Sequence, residues 1–295
     1  MSSLQTKTEK SRLLTLATTA SVATAVLLIV VKAVAWLLTG SVSILASLVD
    51  SIMDSLASLI NLFAVRYSLQ PADNEHQFGH GKAESLAGLA QAGFISGSAV
   101  FLVLHAIDRL RFPHELEDIM SGVIVMVFSI IVTLALLILQ RYVIRKTAST
   151  AIRADALHYA SDVLTNASII AALYLTSVGL SWADPVFAIA IAFYIFYSAF
   201  RIGFEAFQML MDHKLTSDIE QQIRDIAVQQ SGVSGMHDLR TRQSGQISFV
   251  QLHLELDKNI TLEDAHNISD KVEQKIRKIL PEAEIIIHQD PVVIS

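Results

Sequence analysis

Ser47-Leu48-Val49-Asp50-Ser51-Ile52-Met53-Asp54-Ser55-Leu56-Ala57-Ser58 and Leu157-His158-Tyr159-Ala160-Ser161-Asp162 decide how this chain is read. Both segments sit within long apolar stretches. Each carries two ionisable residues four positions apart, Asp50 with Asp54 and His158 with Asp162. Four residues are about one helical turn, so each pair projects from one face of its helix. A carboxylate inside a bilayer costs on the order of a few kcal/mol unless it faces a partner, a cavity or a cation. Should the two helices pack together, they offer one nitrogen and three oxygen ligands, a set suited to a tetrahedral divalent metal. Interhelical hydrogen bonding alone would be served by Asn and Ser, without burying charge.

The composition agrees with a membrane setting. The chain is 52% hydrophobic and 17% charged with a mean hydropathy of +0.48, too apolar for an ordinary soluble domain. It has no cysteine, so any bound metal must use His, Asp, Glu or backbone oxygen. Six stretches exceed the roughly 20 residues needed to cross a bilayer: 13–38, 41–68, 83–110, 119–143, 150–178 and 183–211. Pro71, Pro113 and Pro185 fall at or beside span ends, and Trp36 and Trp182 mark one interface. Lys7, Lys10, Arg12, Arg66, Lys82, Arg141, Arg145, Lys146 and Arg153 gather on one side. The other side has Arg109 and Arg111, diluted by Glu115, Glu117 and Asp118. The positive-inside rule then places both termini in the cytoplasm.

After Met211 the chain becomes mixed in charge. The periodicities predict helix 216–229, strands 236–243 and 247–257 around a Ser244-Gly245 turn, helix 261–280 and strand 284–290, a small two-layer α+β domain. The expected organisation is a membrane unit over 1–211 and a cytosolic metal-binding unit over 212–295.

Two further constellations lie outside the spans. The loop Asp73-Asn74-Glu75-His76-Gln77-Phe78-Gly79-His80-Gly81-Lys82-Ala83-Glu84 places an Asp and two His at three- and four-residue spacing, enough to close around Zn²⁺ with a further ligand. A solvated loop with scattered histidines is the plainer reading of the same pattern. The C-terminal unit holds His237, His253, His266, His288 and Asp290. His253 alternates with Val250, Leu252, Leu254 and Leu256, and His288 and Asp290 share one strand face. Neighbouring strands would let them converge into a two-metal site. Lys32 is a lone cation within the first span, read as snorkelling or making a packing hydrogen bond near the helix end. Asp155 is read as a residue of the pore mouth.

These motifs resemble those of the cation diffusion facilitators, and in particular the bacterial zinc and ferrous-iron efflux members. The resemblance rests on Asp50-x-x-x-Asp54, Asp73…His76-x-Phe78-Gly79-His80-Gly81-Lys82-Ala83-Glu84, Leu157-His158-x-x-x-Asp162, and His237-Asp238-Leu239-Arg240-Thr241-Arg242…His253…His266…His288-Gln289-Asp290. It covers essentially the whole chain. It implies an α-helical membrane protein with six transmembrane helices and a C-terminal cytosolic α+β domain of ferredoxin-like, metallochaperone-like type, assembled as a homodimer. It also implies a transport site at Asp50, Asp54, His158 and Asp162, and a loop site at Asp73, His76 and His80. A cytosolic binuclear site would use His237, His253, His266, His288 and Asp290, with Gln289 as an added ligand. Lys82 and Asp212 match a charge interlock near the dimer contact. Asn74 and Ser85 depart from the usual His and Pro. The function so implied is efflux of a divalent metal, Zn²⁺ foremost with Cd²⁺ or Fe²⁺ as alternatives, across a bacterial inner membrane by proton antiport. Zn²⁺ would be both cargo and regulator. A metal-regulated channel or uniporter is the alternative. No phosphate-binding Gly loop or nucleophile motif suggests an enzyme, and nothing points to nucleic acid.

Overall fold

The computed structural model describes residues 3–111, 119–177 and 183–292. Pro113, Glu115, Glu117, Asp118 and Trp182 lie outside the described residues. Six long helices come first: α1 (Ser3–Thr39), α2 (Val42–Ser68), α3 (Lys82–Arg111), α4 (Ile119–Thr147), α5 (Thr150–Ser177) and α6 (Ala183–Leu210). Then follow α7 (Ser217–Val228), β1 (Val233–Ser244), β2 (Ile247–Asp257), α8 (Leu262–Ile279) and β3 (Glu284–Val292).

Among the described residues, five of the six long helices are long and apolar enough to cross a membrane, and α5 is not among them. Its 28 residues match the others in length, but Arg153, Asp155, His158, Asp162 and Asn166 dilute its apolar character. It packs against α3, α4 and α6 and touches α2. The helix with the weakest membrane signal is thus the one that brings half of the ionisable quartet.

Polar side chains stitch the bundle from within. Asp155 is fully buried and accepts hydrogen bonds from Ser21 Oγ at 2.6 Å, Gln140 Nε2 at 2.7 Å and Gln91 Nε2 at 3.2 Å. One carboxylate therefore joins α5 to α1, α4 and α3. The expected place at a pore mouth is corrected: Asp155 faces the neighbouring helices, whose donors substitute for water. One turn on, Tyr159 Oη donates to the Ser21 carbonyl at 3.1 Å and shares a 2.9 Å hydrogen bond with Ser58 Oγ, tying α1, α2 and α5. Ser58 of α2 thus holds a partner on α5.

The C-terminal unit is a three-stranded sheet of order β1-β2-β3, with β1 and β2 antiparallel and β2 and β3 parallel. The parallel pair needs a crossover, which α8 provides. Alternation along β2 sends Val250, Leu252, Leu254 and Leu256 into one core with Ile223 and Ala227 of α7 and Val272 and Ile276 of α8. The opposite face carries the histidines. Leu215 donates its backbone N–H to Thr241 Oγ1 at 3.0 Å, and Thr241 donates on to Glu220 at 2.9 Å, fixing the segment that leaves α6 onto the sheet. Gly245, at φ +57 in the β1–β2 turn, lies against the backbone of Gly81, where a Cβ would be crowded at 3.0 Å.

Replacing Asp155 by Ala leaves three buried donors without their acceptor and should destabilise the bundle by about 2–3 kcal/mol, seen as a lower thermal unfolding midpoint in detergent. An unchanged midpoint would show that the carboxylate is not what joins these four helices.

Candidate metal sites

Packing of α2 on α5 sets the intramembrane constellation. His158 Nε2 stands 2.9 Å from Asp54 Oδ1 and 3.9 Å from Asp162 Oδ2. Ligand atoms from Asp54, His158 and Asp162 all lie within 4.8 Å of one another, close enough to converge on one ion. Phe94 meets the His158 ring edge-on at 6.2 Å, and Tyr159 is tilted against it at 5.7 Å.

Asp50 stands one turn from Asp54 and outside that tight triad, but it shares the same open space. A cavity of about 140 Å³ toward α1 and α4 is lined by Asp50, Asp54, Asp162, Lys32, Thr165 and Asn166. A second, of about 820 Å³ toward α3, is lined by Asp50, Asp54, His158 and Asp162 with Phe94 and Phe101. The three carboxylates therefore face both cavities. Gly93 and Gly97 line the larger one and have nothing within 4 Å of where a Cβ would stand.

Of the two places expected of Lys32, the packing hydrogen bond is the one observed. It is buried seven residues before the end of α1 and donates to Ser51 Oγ at 2.6 Å and to the Ser47 carbonyl at 3.2 Å.

The loop residues converge as well. Asp73 places Oδ1 3.4 Å from His76 Nδ1 and Oδ2 3.3 Å from His80 Nε2. The backbone amide of His76, then that of Glu75, holds the Asp73 carboxyl below the usual carboxylate range, with His80 and His76 adding to the effect. Tyr67 stands edge-on to His80 at 4.5 Å, and His80 is buried while His76 is exposed.

The cytosolic cluster is built by strand register. His237 of β1 pairs with His253 of β2, and His253 pairs with His288 of β3, so three imidazoles form a row across the sheet. Their rings lie 5.1 Å and 4.6 Å apart. Asp290 reaches all three, with Oδ2 2.8 Å from His253 Nδ1 and 3.3 Å from His237 Nε2, and Oδ1 3.3 Å from His288 Nε2. The hydrogen bond from His253 holds the Asp290 carboxyl below its usual range.

His266 and Gln289 stand apart from this row. His266 lies on α8, 70% exposed, with Asp270 at 3.9 Å. Gln289 alternates with His288 and Asp290, so it faces α8, where its amide donates to Ser269 Oγ at 2.9 Å. Two acids not counted as ligands from the sequence join the cluster. Glu255 holds His237 Nδ1 at 3.0 Å; its signal was alternation with His253. Asp238 groups with His237 and His253 through an irregularity in β1 at φ +49, which alternation does not foretell. Lys82 pairs with Asp212 at 3.0 Å, and Arg242 reaches the same Asp212 oxygen at 3.4 Å while lying over the Phe249 ring at 4.0 Å.

With these geometries in hand, comparison with known proteins decides the family. The profile of the cation efflux transmembrane domain matches residues 18–211, and that of the cation efflux protein cytoplasmic domain matches 215–292. The chain belongs to the cation efflux family. It is 54% identical to the cation-efflux pump FieF of Cronobacter sakazakii over 280 residues, covering 95% of this chain and 93% of that one. It is 53% identical to FieF of Escherichia fergusonii over the same shares. Among solved structures, a CzrB structure in its Zn form matches at 28% identity and TM-score 0.26, covering 28% of this chain and 93% of that one. A nickel form of the MamM CTD matches at 23% identity and TM-score 0.25, covering 26% and 99%. The protein is a divalent-cation efflux transporter with a helical transmembrane part and a cytoplasmic sheet domain.

Metal binding by the cytosolic row should depend on Asp290. Asp290→Asn should weaken Zn²⁺ binding there at least about tenfold at pH 7, by equilibrium dialysis of the full chain. Because Asp290 is depressed, its favourable interaction with the histidines is present above the ordinary carboxylate range near pH 4. It is lost only as pH falls through the lowered value. Metal held by the row should leave on acidification as protons compete for its ligand atoms. Retention of full stoichiometry by Asp290→Asn would exclude this carboxylate as a ligand.

Proposed function

We propose that the protein exports Zn²⁺, with Cd²⁺ and Fe²⁺ as alternative cargo, from the cytoplasm in exchange for protons. The single observation that carries this reading is the convergence of Asp54, His158 and Asp162 from two packed helices, with Asp50 on the same cavities. One imidazole nitrogen and three carboxylates suit a borderline dication such as Zn²⁺ better than Mg²⁺ or Ca²⁺, which take oxygen alone.

Coupling follows from the donor set. Carboxylates and imidazole ligate only when deprotonated, so cargo entering the site displaces protons and protons displace cargo. An emptied set of three carboxylates is costly in an apolar bundle until it regains protons. In this reading all six long helices span a bacterial inner membrane, both termini are cytoplasmic, the membrane unit covers 1–211 and the cytosolic unit 212–295. The chain works as a homodimer in lipid.

The cytosolic row is a fitting holder for regulatory Zn²⁺: His253, His288 and Asp290 offer a nitrogen-rich set, with His237, Asp238 and Glu255 for a second ion. His266 and Gln289 would join only through rearrangement or a second copy. The Asp73, His76 and His80 loop offers a third set. Metal on these sites would bias the transporter reciprocally: a state favoured by cytosolic metal binds that metal more tightly.

In sealed proteoliposomes, Zn²⁺ uptake should be accompanied by opposing proton movement recorded by an internal pH dye, and Asp54→Ala should abolish both. Metal flux without proton movement would favour a channel or uniporter. His158→Asp should shift preference from Zn²⁺ toward Mn²⁺ by roughly tenfold; unchanged discrimination would remove His158 from the ligand set.

A further inference from the structure

Lys32 is a cation that packing does not require. Its ammonium donates to Ser51 Oγ and the Ser47 carbonyl, a task a neutral amide would perform without bringing charge into an apolar bundle. Among the described residues lining the smaller cavity it is the one basic side chain, opposite Asp50, Asp54 and Asp162. It lies within electrostatic reach of all three.

The charge count gives Lys32 a use. Three ionised carboxylates carry three negative charges and a ligating imidazole none, so a bound dication leaves one negative charge. The ammonium cancels it. Resting on the transport-site reading above, we propose that Lys32 is the fixed counter-cation of that site. It makes the metal-loaded carboxylate set neutral, and by repelling the dication it holds affinity low enough for release. The residue thus tunes the proposed cargo site from outside its ligand shell, through Coulomb interaction across the cavity.

The test compares Zn²⁺ flux in proteoliposomes for the unmodified chain, Lys32→Met and Lys32→Arg, with Asp54→Ala as control. Removing the charge should lower KM roughly tenfold and lower the maximal rate as release slows, whereas Lys32→Arg should restore both toward the unmodified values. Recovery of both values in Lys32→Arg would tie the effect to the charge. An unchanged KM and rate in Lys32→Met would show the ammonium to be electrostatically idle. A raised KM in Lys32→Met, or equal failure of both variants with a lowered unfolding midpoint, would make Lys32 structural. Full flux in Asp54→Ala sinks the transport-site reading itself and this inference with it, so the two failures are told apart by the control.

Discussion

Everything in this protein is arranged around holding His158 Nε2 between the carboxylates of Asp54 and Asp162 inside an apolar bundle. Unpaired charges there would be expelled or neutralised; paired, they fix how α2 and α5 approach. The rings of Phe94 and Tyr159 limit where the imidazole can lie, and Tyr159 is in turn held by Ser58 and Ser21. The two cavities meeting at the carboxylates leave the room that the proposed transport role needs.

One turn away, Asp155 solves the same problem differently. Its carboxylate accepts hydrogen bonds from neutral donors on three other helices. The contrast separates roles for two acids of the same helix: Asp155 is fully solvated by protein and anchors the bundle, while Asp162 keeps access to open space. At the cytosolic end, the backbone contact of Gly81 with the Ser244-Gly245 turn and the shared Asp212 contacts of Lys82 and Arg242 join the segment after the Asp73–His80 loop to the sheet domain.

The sequence made the helices legible because each apolar run ends in charge, glycine or proline, and the observed bounds of α2, α3 and α6 lie within about one residue of those read from hydropathy. The paired spacing in α2 and α5 was legible for the same reason: charge inside an apolar run demands an explanation. Direction around a helix was not. Asp155 and Lys32 each point to a neighbour whose position only packing decides. The histidine row across β1, β2 and β3 depends on register between strands separated by α8, which no local pattern contains. Gln289 is instructive, since strict alternation with His288 and Asp290 already turned it toward α8, and only the family resemblance had suggested it as a ligand.

The most direct test is an anomalous-scattering map of the full-length protein with Zn²⁺ bound. A peak at roughly 2.0–2.2 Å from His158 Nε2 and carboxylate oxygens of Asp54 and Asp162 is the expected result. Zinc at the loop and sheet clusters with none between α2 and α5, at saturating metal and neutral pH, would contradict it.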